Sequence, residues 1–264
     1  MSPGIDARLE RIGTGGRFVI VPMDHGITLG AVKGLADLES TVDAVTRGGA
    51  DAVLTQKGLA PRVNPNKNGA GYIVHLNAST TIGPEPNDKR LTGTVREAVR
   101  AGADAVSYHI NVGSNYERDQ MEDLTTVIAD AADLGMPVLA MAYARGPGIA
   151  EDDPEALGHA VRLAEELGAD VVKTGYSGDA ASFEHVVEST RLPVVIAGGT
   201  PSGDRATLAA VRGAMDAGAA GVSMGRSIFQ HDDPEAIARA VAAVVHDDAS
   251  AEAALRDAGL AVEA

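Results

Sequence analysis

"GGADAVL" at 48–54, "AGADAVS" at 101–107, "LGADVVK" at 167–173 and "AGAAGVS" at 217–223 are four versions of one phrase. Each joins a helix end, a glycine turn and the start of an apolar strand, and it returns at intervals of about 50 to 66 residues. Self-similarity at that period marks a repeated supersecondary unit. Between the four phrases lie four more apolar runs: "RFVIVPM" (17–23), "YIVHL" (72–76), "MPVLAMAY" (136–143) and "LPVVIAGG" (192–199). The chain therefore offers eight candidate strands.

Most of the gaps carry helical patterns. "LADLESTVDAVTRGG", "TVREAVRAG", "PEALGHAVRLAEELG" and "ATLAAVRGAMDAG" return apolar residues at three- and four-residue spacing and end at glycine. Strands that alternate with helices and are almost continuously apolar are buried on both faces, which implies a parallel sheet. Eight such units close into a (β/α)8 TIM barrel. An open doubly wound sheet is the rival, but no GxGxxG follows the first strand. Residues 57–71, "KGLAPRVNPNKNGAG", have no period and read as a loop with at most a short helix. A tail helix is expected at 251–258, outside the barrel, and no linker divides residues 1–264, so one domain is expected.

Composition narrows the partners. The chain has 264 residues, 45% of them hydrophobic, and no apolar run near the roughly 20 residues that span a bilayer. It has no cysteine, and "MSPGIDARLERIG" lacks the pattern of a secretory signal, so a cytoplasmic location is expected. A formal charge of −15 argues against nucleic-acid and membrane partners, whose contacts depend on basic patches. Aspartate and glutamate total 37 against five lysines: Lys33, Lys57, Lys67, Lys89 and Lys173. A carboxylate-covered, lysine-poor surface suits a high-salt, halophilic cytosol.

Barrel enzymes place their chemistry at the C-terminal ends of the strands. Those ends hold Asp24 and His25; Gln56 and Lys57; His75; His109 and Asn111; Tyr143 and Arg145; Lys173 and Thr174; Gly198 and Gly199; and Gly225 and Arg226. Glycines after the last two strands let backbone N–H groups approach a phosphate, and Arg226 adds charge, although glycines also serve plain turns. Lys173 follows two valines of a buried strand. A strand-end lysine is often a snorkelling surface charge, but partial desolvation beside a phosphate site favours a neutral, nucleophilic amine that attacks a carbonyl. Asp24 and Tyr143 are the natural proton handlers for such a step, the alternatives being a helix cap and a packed rim aromatic. A neighbouring carboxylate opposes the neutral amine, and sequence leaves that balance open. His25, His75 and His109 with Asp24 form a rival, metal-binding constellation, though no HxH or HxxE spacing supports it.

"VPMDHG", "GADAVSYHINVGS", "MAYARG", "GADVVKTGYSGD", "VVIAGG" and "AAGVSMGRSIFQHDD" resemble, in order and over most of the chain, the archaeal class I aldolase family. The resemblance implies a metal-independent enzyme with no cofactor beyond a covalent Schiff base on Lys173, with Asp24 as proton acceptor and Tyr143 as proton donor. It implies substrate contacts at Asp24, His25, Gly26, Ile27 and Thr28, at Tyr143, Ala144 and Arg145, at Gly198 and Gly199, and at Gly225 and Arg226. It also implies phosphorylated keto-sugar and aldehyde substrates and a homo-oligomer, pentamer-based and up to a decamer. Fructose-1,6-bisphosphate aldolases of the family carry tryptophan two residues before the tyrosine, where this chain has Met141. That favours the branch performing a transaldol step for aromatic amino acid biosynthesis: a 6-deoxy-5-ketofructose 1-phosphate is cleaved on the lysine, and the retained fragment attacks L-aspartate semialdehyde. Fructose-1,6-bisphosphate cleavage is the alternative.

Overall fold

Eight parallel strands close into a ring in the computed structural model, which describes residues 2–199 and 203–261. In chain order the strands are β1 (Phe18–Pro22), β2 (Ala52–Gln56), β3 (Gly71–His75), β4 (Asn77–Ala78), β5 (Arg90–Leu91), β6 (Ala105–Val112), β7 (Val138–Ala144), β8 (Val171–Thr174), β9 (Val194–Ala197) and β10 (Gly221–Ser223). The barrel runs β1-β2-β3-β6-β7-β8-β9-β10 and back to β1, all in parallel register. All eight expected barrel strands form. β4 and β5 are an addition that the sequence reading lacked: a short antiparallel ribbon, Asn77 opposite Leu91, inside the connection from β3 to β6.

The strands read as continuous apolar runs because each feeds two cores. Phe18, Ile20, Ala52, Leu54, Ile73, Ala105, Leu139, Met141, Val171 and Val195 pack inside the barrel. Val19, Val21, Val53, Val74, Val106, Ala140, Val172 and Ile196 pack outward against the helices. Side chains alternate along a strand, so this two-face division sets the direction of every residue that continues it toward the mouth. Ser107, His109 and Asn111 follow the inward Ala105, Tyr143 follows Met141, and Lys173 follows Val171.

The outer ring comprises helices Leu38–Arg47, Val95–Arg100, Glu117–Asp133, Pro154–Leu167, Ala180–Glu188, Asp204–Asp216 and Pro234–His246. Asp37, Asp153, Asp179 and Asp233 cap four of them by accepting backbone N–H bonds, and Thr94 with Glu97 forms a capping box. Part of the large acidic content is thus spent on helix starts. Between β2 and β3 only a turn, Lys57–Leu59, and a one-turn helix, Ala60–Val63, break the aperiodic stretch. The tail helix spans Ala251–Asp257 and buries Ala254 and Leu255 against the two preceding helices. An N-terminal helix, Pro3–Ile12, lies across the end of the barrel away from the mouth and inserts the fully buried Ile12 into the interior core.

The seam where the first and last strands meet depends on Gly221. It pairs with Phe18, has φ of 137°, and a Cβ there would stand 2.1 Å from the Phe18 carbonyl oxygen. Neither the conformation nor the space suits another residue. Gly221→Ala is expected to destabilise the barrel by about 3 kcal/mol or more, measured as a lower urea midpoint with an unchanged slope.

Candidate active site

The inward parity of the strand ends produces a cavity of about 290 Å³ at the C-terminal mouth. Its walls are Asp24, His25, Thr28, Leu29, Lys89, His109, Met141, Tyr143, Arg145, Lys173, Ala197, Gly198, Gly199, Ser223, Gly225 and Arg226. Ten of the thirteen expected site residues therefore converge: Asp24, His25, Thr28, Tyr143, Arg145, Lys173, Gly198, Gly199, Gly225 and Arg226. Three do not line this cavity. Ala144 is buried among the outward-facing residues of β7, one position out of phase with Tyr143. Gly26 and Ile27 lie in the short helix His25–Leu29 and line a separate apolar hollow with Met23, Leu35 and Leu38.

Lys173 is 7% exposed and stands between Met141 of β7 and Val195 of β9 in register. No described residue is in ion-pair contact with its ammonium. Asp24 occupies the N-cap position of helix His25–Leu29, yet its side chain makes no capping bond. The carboxylate instead faces the cavity, with Oδ1 3.5 Å from Nδ1 of His25 and Oδ2 3.8 Å from Nε2 of His75. Burial alone pushes the Asp24 carboxyl up, but His75, His25, Lys173 and its own backbone N–H outweigh burial and hold it below the usual carboxylate range. Asp24 is ionised at neutral pH.

The histidines are neutral there. Burial drives His75 down to about 4 against the pull of Asp24, and drives His25 and His109 down as well. His75 Nδ1 shares a 2.7 Å hydrogen bond with Ser107, and His109 Nε2 a 2.8 Å bond with Asn111. His25 packs edge-on against Phe229 with centroids 5.2 Å apart. His75 and His109 thus have hydrogen-bond partners while the buried Nδ1 of His25 has none among the described residues, and among those residues no three His, Asp or Glu side chains converge as a metal-ligand set.

Tyr143 stacks beside His109, with centroids 4.9 Å apart, under the Arg145 guanidinium at 5.2 Å. Arg145 is held by two 2.8 Å hydrogen bonds to Glu151. On the opposite wall, Arg226 donates to the Gly199 carbonyl at 3.0 Å. Gly225 has no room for a Cβ, which would stand 2.6 Å from His25 Cε1 and from the Pro22 carbonyl. Backbone and guanidinium donors there make a corner fit for an anion.

Two polar residues of the lining escaped the sequence reading. Ser223 ends the inward face of β10, and its buried hydroxyl has no described partner; the period-two alternation from Gly221 would have found it. Lys89 comes from the loop that the β4–β5 ribbon closes, and donates at 2.7 Å to Ser79. Only the scarcity of lysine hinted at it.

A model for DeoC/LacD family aldolases matches residues 18–231. The chain belongs to that family. It is 66% identical over 261 residues, 99% of this chain and 98% of the relative, to a protein of Halobacterium salinarum named 2-amino-3,7-dideoxy-D-threo-hept-6-ulosonate synthase. It is 34% identical, over 97% of this chain and 99% of the relative, to a class 1 fructose-bisphosphate aldolase of the same species. Among solved structures, an archaeal fructose-1,6-bisphosphate aldolase with its catalytic lysine bound to the carbinolamine intermediate superimposes with a TM-score of 0.85 at 32% identity, covering 91% of this chain and 99% of that one. The aldolase fold and family expected from the sequence motifs are borne out. Among the described residues no helix is long and apolar enough to cross a membrane.

Acid is expected to weaken this aldolase through His75. Its folded-state value lies below the unfolded one, so its contribution is fully present above pH 6.5 and is lost as pH falls toward 4. Between pH 7 and pH 4.5, His75→Gln should lose roughly 2 to 3 kcal/mol less stability than wild type, read from urea melts at the two pH values.

Proposed function

We propose that this chain is a Schiff-base transaldolase-type synthase that makes 2-amino-3,7-dideoxy-D-threo-hept-6-ulosonate for aromatic amino acid biosynthesis. Its donor is 6-deoxy-5-ketofructose 1-phosphate and its acceptor is L-aspartate semialdehyde. The observation that carries the chemistry is a nearly buried lysine on the inner wall, with no ion-pair partner among the described residues, lining one cavity with an ionised carboxylate and a phenol. The choice of reaction rests on 66% identity to the named synthase against 34% to the bisphosphate aldolase.

Lys173 attacks the donor's C5 ketone, and loss of water gives the protonated imine. The iminium draws in the electron pair of the C3–C4 bond, which breaks as the C3 hydroxyl gives up its proton to Asp24. Hydroxypyruvaldehyde phosphate departs, leaving an enamine on Lys173. The enamine carbon attacks the carbonyl carbon of the semialdehyde, and Tyr143 gives a proton to the new alkoxide. Hydrolysis frees the product and Lys173, and water in the open mouth passes the Asp24 proton back to Tyr143. The carbon–nitrogen and carbon–carbon steps all need protons moved, so the residues need position and correct protonation. The neutral histidines matter here, because charged rings beside Lys173 would compete for Asp24. Further contacts to the keto-sugar phosphate come from the Asp24–Thr28 and Tyr143–Arg145 segments, from Gly198 and Gly199, and from Gly225 and Arg226.

Borohydride with the keto-sugar phosphate should leave a reduced adduct on Lys173, and Lys173→Ala should keep the fold and lose at least about 10⁴-fold in turnover. Turnover of the donor should depend on added semialdehyde and survive a chelator. Efficient triose release from fructose 1,6-bisphosphate without the semialdehyde would identify the bisphosphate aldolase instead, and an adduct on another lysine would overturn the assignment.

A further inference from the structure

Four of the five lysines have an evident place. Lys33 pairs with Asp232 at 2.6 Å, Lys57 pairs with Glu97 at 2.6 Å, Lys67 donates to the Ala70 carbonyl, and Lys173 is the proposed nucleophile. Lys89 is the exception. It is half-buried in the cavity wall, and among the described residues its ammonium hydrogen-bonds only the Ser79 hydroxyl and no carboxylate is in ion-pair contact with it. Burial first, and then the Arg145 charge, lower its value against the pull of the Asp24 carboxylate. A chain with 37 acidic residues that leaves this ammonium with no described carboxylate in contact has room there for an anion from solution.

Its loop is built to hold it in place. β4 and β5 clamp the two ends, and the Asn77 side chain accepts from His109 N at 2.9 Å and donates to His109 O at 2.8 Å. The Asn87 carbonyl, two residues before Lys89, accepts from Asn111 at 3.2 Å and from Gln120 at 2.6 Å. Arg90, the next residue, pairs with Asp88 and Asp119. Lys89 therefore sits on the β6–β7 side, with His109, Tyr143 and Arg145. In the ring order β6 is four strands from β10 in either direction, so this cation lies across the mouth from the Arg226 corner.

The bonds of the proposed reaction say which anion belongs on that side. The piece retained on Lys173 is uncharged. The phosphate leaves with the departing aldehyde, four bonds beyond its carbonyl carbon, and the acceptor carries its α-carboxylate three bonds beyond its own. Both aldehydes meet the same enamine carbon, where Asp24 takes the proton of the departing oxygen and Tyr143 protonates the arriving one. Arg145 lies over the Tyr143 ring and Lys89 lines the same cavity, so cations stand beside that carbon for an anionic group three or four bonds beyond it. The sequence-based expectation put a phosphate at the glycine corner, whereas in this donor the phosphate belongs to the departing aldehyde and not to the piece retained on Lys173. We propose that Lys89, with Arg145 beside it, is one anion subsite used twice in each turnover, first for the phosphate of the departing aldehyde and then for the α-carboxylate of the arriving one.

This inference rests on the transaldol reading, so the test begins with wild type turning over donor and semialdehyde; failure there overturns both. With that turnover in hand, Lys89→Met should raise KM for the semialdehyde and for the keto-sugar phosphate by tenfold or more each, as expected for loss of a charge-assisted hydrogen bond. Borohydride trapping of uncharged hydroxyacetone on Lys173 should stay at the wild-type level, and Lys89→Arg should recover most of the loss. Inorganic phosphate should compete with the semialdehyde in wild type and much less in Lys89→Met. A change in the donor constant alone would place the carboxylate elsewhere, and unchanged constants would remove Lys89 from recognition. Loss of hydroxyacetone trapping in both variants would tie Lys89 to Schiff-base formation. Any of these three results overturns the shared subsite.

Discussion

A closed ring of parallel strands has no edge, and its side chains alternate strictly between the interior and the helices. Inside, Ile12, Phe18, Ile20, Leu54, Ile73 and Val195 exclude water. A polar group that points inward is affordable only in the last layer, where the mouth admits solvent. That constraint explains β8: Val171 faces the dry core, Val172 faces the helices, and Lys173 comes next on the inward side, at the first level where an ammonium is tolerable. Asp24, Tyr143, His109 and Ser223 reach the same level from other strands for the same reason.

The electrostatics of that level run against those of the whole molecule. The chain carries a formal charge of −15, yet the cavity lining includes Lys89, Arg145, Lys173 and Arg226 and one carboxylate, Asp24. Acidic side chains are placed outside it, as helix caps and as surface partners such as Asp232, Glu97 and Glu151. Desolvation keeps the three histidines neutral, so they shape and hydrogen-bond the cavity without adding charge. A positive pocket in an acidic protein attracts small anions while the outer surface repels large polyanions.

Within the site, legibility followed locality. The position of Lys173 and Tyr143 at strand ends was enough to place them at the mouth, and the glycines after β9 and β10 marked a corner. The family motifs carried their neighbours along too broadly: Ala144 is adjacent to Tyr143 in sequence but on the other face of β7, and Gly26 and Ile27 turn away with their short helix. Lys89 was hidden for the opposite reason. Two-residue strands have no periodicity to detect, and "PNDKR" reads as an ordinary polar loop until Asn77, Asn87 and Gln120 are seen to pin it.

By itself the sequence determined the repeating unit, the parallel barrel it closes into, the strand-end position of Lys173 and the aldolase family. These are properties of short segments: hydrophobic period, glycine turns and capping residues act within a few positions of one another. Only the tertiary structure decided which distant residues share the cavity, that the carboxylate of Asp24 faces it rather than capping its helix, that the histidines are uncharged, and that Lys89 stands across from Arg226. Those depend on ring closure and on the desolvation it imposes, and neither exists until all eight strands have met.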